Sequence, residues 1–270
     1  MIDIKLFFLK TLKITACFFM LFILGACDNN RRSDIAVIPV YRQQVLNCNQ
    51  TFAHMGESWR YQQLQFFISG LEVITADKAN QGWQELPLLQ TRFQSGKVAL
   101  LGEVCASDGS DVSEGSWQLQ LAPSIDTSDI RRIRFTLGIP FALNHQNPLT
   151  QKSPLNLSSM FWVWRTGHKF LRLEMASDKE AWLFHLGSTG CLAPSSVRPP
   201  ADECRQPNRF QYELAYDSGK GGLLLDLSVL LAQVVLNRES SCKSAPDNPH
   251  CRQILANLGA PNSLLFRGEE

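Results

Sequence analysis

The sequence carries almost no net charge, because its 270 residues include 26 Lys and Arg against 25 Asp and Glu. A surface that binds nucleic acid needs an excess of basic residues, so this charge balance excludes a nucleic-acid-binding protein that relies on such an excess. The eight cysteines never show the Cys-x-x-Cys spacing of thiolate metal sites and redox motifs. Internal repeats and low-complexity tracts are also missing. Because 44% of the residues are hydrophobic, the chain can bury a large core.

Signatures of two common classes of enzyme are absent as well. The run Gly187-Ser188-Thr189-Gly190 lacks the Gly-Lys-Ser/Thr ending of a phosphate-binding loop. It also lacks the Gly-x-Ser-x-Gly elbow that presents a hydrolase nucleophile. The carboxylates Asp226 and Glu174 stand in no recognisable acid–base pair. The glycines therefore indicate a tight turn that places Cys191 for a disulfide.

The N-terminus lacks an apolar run of the roughly 20 residues that a membrane-spanning helix needs. It has instead a basic segment with Lys5, Lys10 and Lys13, followed by a shorter apolar stretch from Ile14 to Ile23. This is the pattern of a secretory signal peptide, which we assign to residues 1–26. Its removal leaves 23 basic and 24 acidic groups, so the exported chain is also close to neutral.

The signal ends in Leu-Gly-Ala-Cys27, which resembles the bacterial lipobox. We expect the Cys27 thiol to be acylated and to anchor the chain in a lipid bilayer of the cell envelope, facing the periplasm. Asp28 resembles the inner-membrane retention signal of enterobacterial lipoproteins, a rule that leaves the choice of membrane open. Residues 28–36 are polar and without periodicity, which indicates a tether. We assign residues 27–47 to this tether and its lead-in, and residues 48–270 to the folded domain.

Six cysteines remain in the exported chain, and an even number there indicates disulfides. They are Cys48, Cys105, Cys191, Cys204, Cys242 and Cys251. Six cysteines allow fifteen connectivities, and the sequence alone does not choose among them. Proximity along the chain favours Cys191–Cys204 and Cys242–Cys251, which leaves Cys48–Cys105. A thiolate metal site is the competing interpretation.

Alternating or apolar segments of strand length dominate the chain up to residue 216. They are Arg60–Ile74, Val98–Val104, Trp117–Leu121, Arg132–Leu137, Phe161–Trp164, Phe170–Met175, Trp182–Leu186 and Phe210–Tyr216. A polar turn between Met175 and Trp182 predicts a hairpin. The apolar run Leu223–Leu236, with Asp226 as N-cap, and the segment Pro249–Leu258 predict two helices. The fold class is therefore all-β: an antiparallel β-sandwich stapled by disulfides, with a short helical C-terminal portion.

The segment from Phe141 to Cys191 concentrates three of the five histidines and three of the six tryptophans. They are His145, Trp162, Trp164, His168, Trp182 and His185. Histidine is the commonest transition-metal ligand, and neutral imidazole suits copper. Few carboxylates lie nearby, which argues against a site for a hard cation. Since tryptophans on strands usually belong to a core, the segment is either an aromatic core or a metal site beside an oxidisable indole.

The order of short motifs in this region is specific. It runs GIPF and NH, then SPLNLSSMFWVW, KFLRLE and FHLGSTGC, then Cys204 with PNR, and finally Cys242 and Cys251. This order resembles the MbnP-like copper-binding family, exported bacterial proteins with a four-cysteine motif. The match extends from about Cys48 to Phe266 and is densest between Phe135 and Cys191.

The resemblance implies that the cofactor is copper and that the copper site is completed by a chemical modification of the protein. In that family a dihaem cytochrome c peroxidase-like (MbnH-like) partner oxidises one tryptophan to kynurenine, and histidines hold copper together with the kynurenine. The matching positions are His145 in the NH motif, His185 in FHLGSTGC, and Trp162 or Trp164. On one strand the two indoles would face the same way. His168 replaces an aromatic residue that often follows the glycine, either as a substitute for that ring or as an extra ligand.

The implied role is copper uptake or handling rather than catalysis. A copper-dependent redox enzyme is one alternative, although the sequence indicates no substrate pocket. A structural or partner-binding lipoprotein without metal is another, in which His145 and His185 merely fill the sandwich. His54 and His250 lie in polar surroundings and are expected to be surface residues, and Met55 beside His54 is weak evidence for a soft ligand.

Overall fold

The computed structural model describes residues 34–107, 113–122, 126–245, 247–261 and 263–269. The signal peptide, the acylation site Cys27 and Asp28 lie outside these residues and stay predictions. Among the helices that the structure describes, none is long and apolar enough to cross a membrane.

The described residues form fourteen strands and three short α-helices. The strands are β1 (Asp34–Tyr41), β2 (Gln44–Val45), β3 (Phe52–His54), β4 (Glu57–Thr75), β5 (Gln84–Glu85), β6 (Val98–Cys105), β7 (Ser113–Ser116), β8 (Gln118–Gln120), β9 (Ile130–Leu137), β10 (Leu171–Ala176), β11 (Ala181–Leu186), β12 (Phe210–Ala215), β13 (Leu223–Asp226) and β14 (Phe266–Gly268). The helices are α1 (Phe141–Asn144), α2 (Leu227–Leu230) and α3 (Pro249–Gly259), and single 3₁₀ turns occupy Ala79–Gln81, Thr127–Asp129, Ser158–Met160 and Ser218–Lys220.

The larger sheet is organised around β4, a single strand of 19 residues. The first half of β4 pairs with β10 along one edge and with β6 along the other. Its second half pairs with β9, and the register shifts between Ser69 and Glu72, as at a β-bulge. One strand therefore carries both the β10–β11 hairpin and the β9–β12 pair. The predicted hairpin is confirmed.

The smaller sheet has the order β14-β13-β1-β2, and β8 also pairs with β1. β13 runs parallel to β1, with Val37 opposite Leu223, whereas the other pairs of named strands are antiparallel. The antiparallel prediction is thus confirmed except at this one pair.

The ring of Phe266 in β14 joins the two sheets. Its centroid lies 5.6 Å from Phe66, 5.0 Å from Phe135 and 4.9 Å from Tyr212, all on the larger sheet. All four side chains are buried. Tilted and edge-to-face arrangements of this kind are the ones that aromatic quadrupoles favour, so an aromatic core holds the sandwich together.

The helix predicted over Leu223–Leu236 is wrong at both ends. The first four residues form β13, buried between β1 and β14, and only Leu227–Leu230 is helical. An apolar run that is buried on all sides shows no period, so it does not distinguish a strand from a helix. The predicted N-cap is confirmed, since Asp226 Oδ1 accepts from the backbone N–H of Ser228 at 2.9 Å. The second predicted helix is α3.

The predicted tether is wrong at its C-terminal end. Residues 34–36 belong to β1 and pair with β8, and Ile35 is completely buried. Only the first three residues of β1 lie in the predicted tether, and three residues are too few to show a period. The folded part therefore includes β1 and β2, which the sequence analysis assigned to the lead-in.

The structure contains the three disulfides that proximity along the sequence favours. They join Cys48 to Cys105, Cys191 to Cys204, and Cys242 to Cys251. The last pair is fully buried and ties the loop after α2 to α3. The disulfide interpretation of the six cysteines thus holds over the thiolate one.

Candidate metal site

His185 lies on β11 and faces a carboxylate on the neighbouring strand. The β10–β11 register places Arg172 opposite His185, and Glu174 follows two residues later on the same face. The Nε2 atom of His185 lies 2.8 Å from Glu174 Oε1. The Nε–H of Arg172 donates to the same oxygen at 2.7 Å. His185 itself is only 7% exposed.

The electrostatics of this group keep the imidazole neutral. The hydrogen bond from His185 is the largest cause that lowers the pKa of Glu174 to about 2, and Arg172 acts in the same direction against burial. Burial lowers the pKa of His185 and outweighs the hydrogen bond to Glu174, which raises it. Near neutral pH, Glu174 is therefore an anion that only accepts, and His185 is a neutral ring that donates from Nε2.

The other ring nitrogen of His185 has no hydrogen-bond partner among the residues that the structure describes. Nδ1 is buried, and no hydrogen bond reaches it from the described residues. Leaving a buried acceptor without a hydrogen bond costs about 1–3 kcal/mol. Such atoms are therefore rare in native proteins. A neutral imidazole with one nitrogen bonded to a carboxylate and the other open is the usual arrangement of a metal-binding histidine.

Trp162 packs beside this histidine. The two ring centroids lie 6.3 Å apart, and the indole covers Gly187. A Cβ atom at Gly187 would lie 2.6 Å from the six-membered ring of Trp162, so only glycine allows this close approach. The side chain of Trp162 is partly exposed, so it lies between the buried histidine and the surface.

Trp164 instead contacts His145. Its indole Nε1–H donates to the backbone carbonyl of His145 at 2.7 Å, and His145 Nδ1 lies 3.3 Å from the carbonyl of Trp164. The far nitrogen, Nε2, lies 3.2 Å from Asn144 Nδ2 and 3.7 Å from Cys204 Sγ. Burial lowers the pKa of His145, so this ring is also neutral.

The strand predicted over Phe161–Trp164 is wrong. Only Phe161 forms a bridge, to His168, and the carbonyl of Val163 then accepts from Thr166 and Gly167 to close a turn. Gly167 has φ +75°, and a Cβ there would lie 2.4 Å from Asn144 Oδ1. The turn sends the two indoles to different histidines, contrary to the expectation that they face the same way.

His145 does not lie on a strand, because it is the C-cap residue of helix α1. Among the described contacts, no residue touches both His145 and His185. What connects the two rings is the FWVW segment, with Trp162 against His185 and Trp164 against His145.

The described residues contain one group of three potential metal ligands drawn from His, Cys, Asp and Glu. It consists of His145, Cys191 and Cys204, whose ligand atoms lie within 4.8 Å of one another. The two sulfur atoms are bonded to each other, and metals are bound by thiolates rather than by disulfides. This group therefore offers only the imidazole of His145.

His168 is a structural residue. It is completely buried, with Nε2 2.8 Å from the carbonyl of Leu155 and Nδ1 3.2 Å from two oxygens of Asn144. The rings of Phe67 and Phe161 meet it edge-on at 5.9 and 5.0 Å. Since both nitrogens face oxygen atoms, neither is open to a metal, and the ring fills an aromatic position.

The burial of His168 predicts an acid-sensitive fold. Burial is the largest cause that lowers its pKa below 6.5, against the carbonyls of Leu155 and Asn144. As the pH falls through 6.5, the unfolded chain takes up a proton that the folded protein does not, so the free energy of unfolding decreases. We expect the free energy of unfolding, measured by urea titration from about pH 7.5 to 5.5, to fall less steeply in His168→Gln than in the protein without this substitution. An unchanged slope would contradict this account of the ring.

The surface position predicted for His54 is wrong. His54 is buried, and its nitrogens lie 2.9 Å from the hydroxyl of Tyr41 and 2.8 Å from the carbonyl of Val234. It is therefore a satisfied core histidine, while the neighbouring Met55 is 63% exposed. His250, on α3, is exposed as expected.

Glu174 belongs to the site, although no motif in the sequence marks it. The local signal is the Arg-x-Glu spacing in KFLRLE, which places both charges on one face of a strand. Its connection to His185 depends on the β10–β11 register, which the two segments do not reveal separately.

The comparisons with known proteins agree with this fold. A family model described as MbnP matches residues 31–245. The chain belongs to the MbnP family. The solved structure of MbnP from Methylosinus trichosporium is similar in fold, with a TM-score of 0.71 and 20% identity over 87% of this chain and 96% of that one. No curated protein matches. Family membership supports a copper-related role for the chain.

Proposed function

We propose that the chain is an exported copper-binding lipoprotein whose site is completed when a dihaem peroxidase-like partner oxidises Trp162 to kynurenine. Copper is its cargo, in uptake or handling. The observation that carries the proposal is the buried Nδ1 of His185, which no described residue contacts through a hydrogen bond, in a ring beside an oxidisable indole. Anchoring to the bilayer through Cys27 and a position in the cell envelope are part of the proposal and rest on the N-terminal sequence alone.

The donor set around His185 fits copper. Neutral imidazoles suit copper, whereas Mg²⁺ and Ca²⁺ require several carboxylate or carbonyl oxygens. The nearby carboxylate, Glu174, is already engaged by Arg172 and His185. The other neutral ring, His145, lies at the far end of the FWVW turn against Trp164, and its disulfide neighbours offer no thiolate to compete for the metal.

Of the two candidate indoles, Trp162 is the better one. The N–H of Trp164 is committed to the carbonyl of His145, so its nitrogen already serves the fold. Both indoles are partly exposed, but Trp162 lies against the histidine with the open nitrogen. Oxidation of Trp162 would therefore place new donor atoms beside His185.

The oxidation changes which donor atoms are present. The C2–C3 bond of the indole breaks, each of these carbons gains an oxygen atom from peroxide that is reduced to water, and hydrolysis then releases C2 as formate. An aniline nitrogen and a ketone remain, both able to approach a metal. Intact tryptophan offers only an N–H donor. The protein holds the ring over Gly187 and buries His185 from water, so that these donors lie beside a neutral imidazole.

Co-expression with the dihaem partner tests the proposal. We expect the peptide that contains Trp162 to gain oxygen by mass spectrometry, and the purified protein to retain about one equivalent of copper. Protein made with a partner that lacks haem should show neither change. Oxygen gain without copper above this control would leave the modification but remove the copper-binding function.

A further inference from the structure

We propose that Glu174, held in place by Arg172, is the positioning residue that fixes the proton of His185 on Nε2 and so presents Nδ1 to the metal. This inference rests on the proposed function and assigns a role to a residue outside the histidine and tryptophan ligands. It concerns which nitrogen of His185 binds.

The sheet builds this arrangement from strand geometry. On adjacent antiparallel strands, a residue faces its direct partner and the diagonal neighbour two residues along. Arg172 is the direct partner of His185, and Glu174 is the diagonal one. A single oxygen, Oε1 of Glu174, accepts from both at 2.7 and 2.8 Å.

The acceptor decides the tautomer. An ionised carboxylate has no proton to give, and a guanidinium is a donor only, so the proton between His185 and Glu174 belongs to the imidazole. A neutral ring with its proton on Nε2 carries its lone pair on Nδ1. That atom is the buried one that no described residue contacts through a hydrogen bond.

Arg172 extends the arrangement toward the loop that precedes Trp162. Its Nη1 donates to the carbonyl of Ser159 at 3.2 Å, and the Nζ of Lys169 donates to the same carbonyl at 2.8 Å. Lys169 also lies 3.4 Å from the carbonyl of Phe161. The guanidinium therefore holds Glu174 at a fixed distance from the segment that carries the indole.

A second arginine–glutamate pair serves as a matched control. Arg134 and Glu72, on β9 and β4, form an ion pair at 2.7 Å with side-chain exposures of 24% and 31%, against 22% and 26% for Arg172 and Glu174. The Glu72 pair contacts no histidine among the described residues. A loss that arises only from breaking a half-buried ion pair should be equal in both variants.

The experiment compares Glu174→Ala, Glu174→Gln and Glu72→Ala in two measurements. Long-range ¹H–¹⁵N spectra of the metal-free protein report which nitrogen of His185 carries the proton. Copper affinity is measured after partner treatment by competition with a chromogenic chelator. We expect Glu174→Ala to lose the single Nε2–H tautomer and about 10- to 100-fold in affinity, the range for partners of metal-binding histidines. Glu174→Gln keeps an acceptor oxygen, so it should retain the tautomer and lose less.

The two readouts separate the possible failures. Unchanged tautomer and affinity in Glu174→Ala would overturn the role of Glu174 alone, as would an equal affinity loss in Glu72→Ala. If the protein without substitutions binds no copper after treatment with the partner, the proposed function fails and the metal-positioning role of Glu174 fails with it. A tautomer that still changes in Glu174→Ala would then show that the contact fixes the proton for the fold alone.

Discussion

The His185→Ala variant, treated with the dihaem partner, is expected to retain no copper above background. This replacement removes the open Nδ1 atom and the imidazole that packs against Trp162. Because changing an outer partner of a metal-binding histidine already costs about 10- to 100-fold in affinity, loss of the ligand itself should exceed that range. The effect is measured as the copper-to-protein ratio, by plasma emission spectroscopy after gel filtration.

His250→Ala is the matched control for His185→Ala. It removes a histidine that is exposed on α3, so copper content should not change. Thermal unfolding of both variants shows whether the fold survives. If His185→Ala is folded and still holds stoichiometric copper, the metal is not bound at this histidine.

Trp162→Phe is expected to abolish both the gain of oxygen and the retention of copper. Phenylalanine fills much of the space over Gly187 but has no indole to open, so the aniline nitrogen and the ketone are never formed. Trp164→Phe is the control in the same turn. It loses a hydrogen bond to His145 but should still gain oxygen at Trp162. Peptide mass spectrometry after partner treatment, together with copper analysis, distinguishes the two.

The opposite pattern would reassign the chemistry. If Trp162→Phe gains oxygen and Trp164→Phe does not, the modified indole is the one bound to His145. The donors would then be formed at that end of the turn, and the open nitrogen of His185 would need another explanation.

Much of the larger sheet could be predicted from the sequence. The segment Arg60–Ile74 is long enough for one long strand or two, and two strand-like segments joined by a polar turn indicate the β10–β11 hairpin. These signals are local, so they survive in a single sequence. Disulfide pairing by proximity succeeded for the same reason, since short loops close at the least entropic cost.

The arrangement of the site depends on contacts that are not local. Phe161–Trp164 has the composition of a strand, but the positive φ of Gly167 and its close approach to Asn144 make it a turn. That turn decides which histidine each indole contacts. The Glu174–His185 contact likewise requires the register of two strands, which alternation within each strand does not determine.

We propose that copper binds at the open nitrogen of His185. Crystals of partner-treated, copper-loaded protein, measured on either side of the copper absorption edge, would locate the metal. We expect one anomalous peak within coordination distance of His185 Nδ1 and of an opened ring at position 162. A peak at the His145–disulfide group with Trp162 intact, or no peak at all, would contradict it.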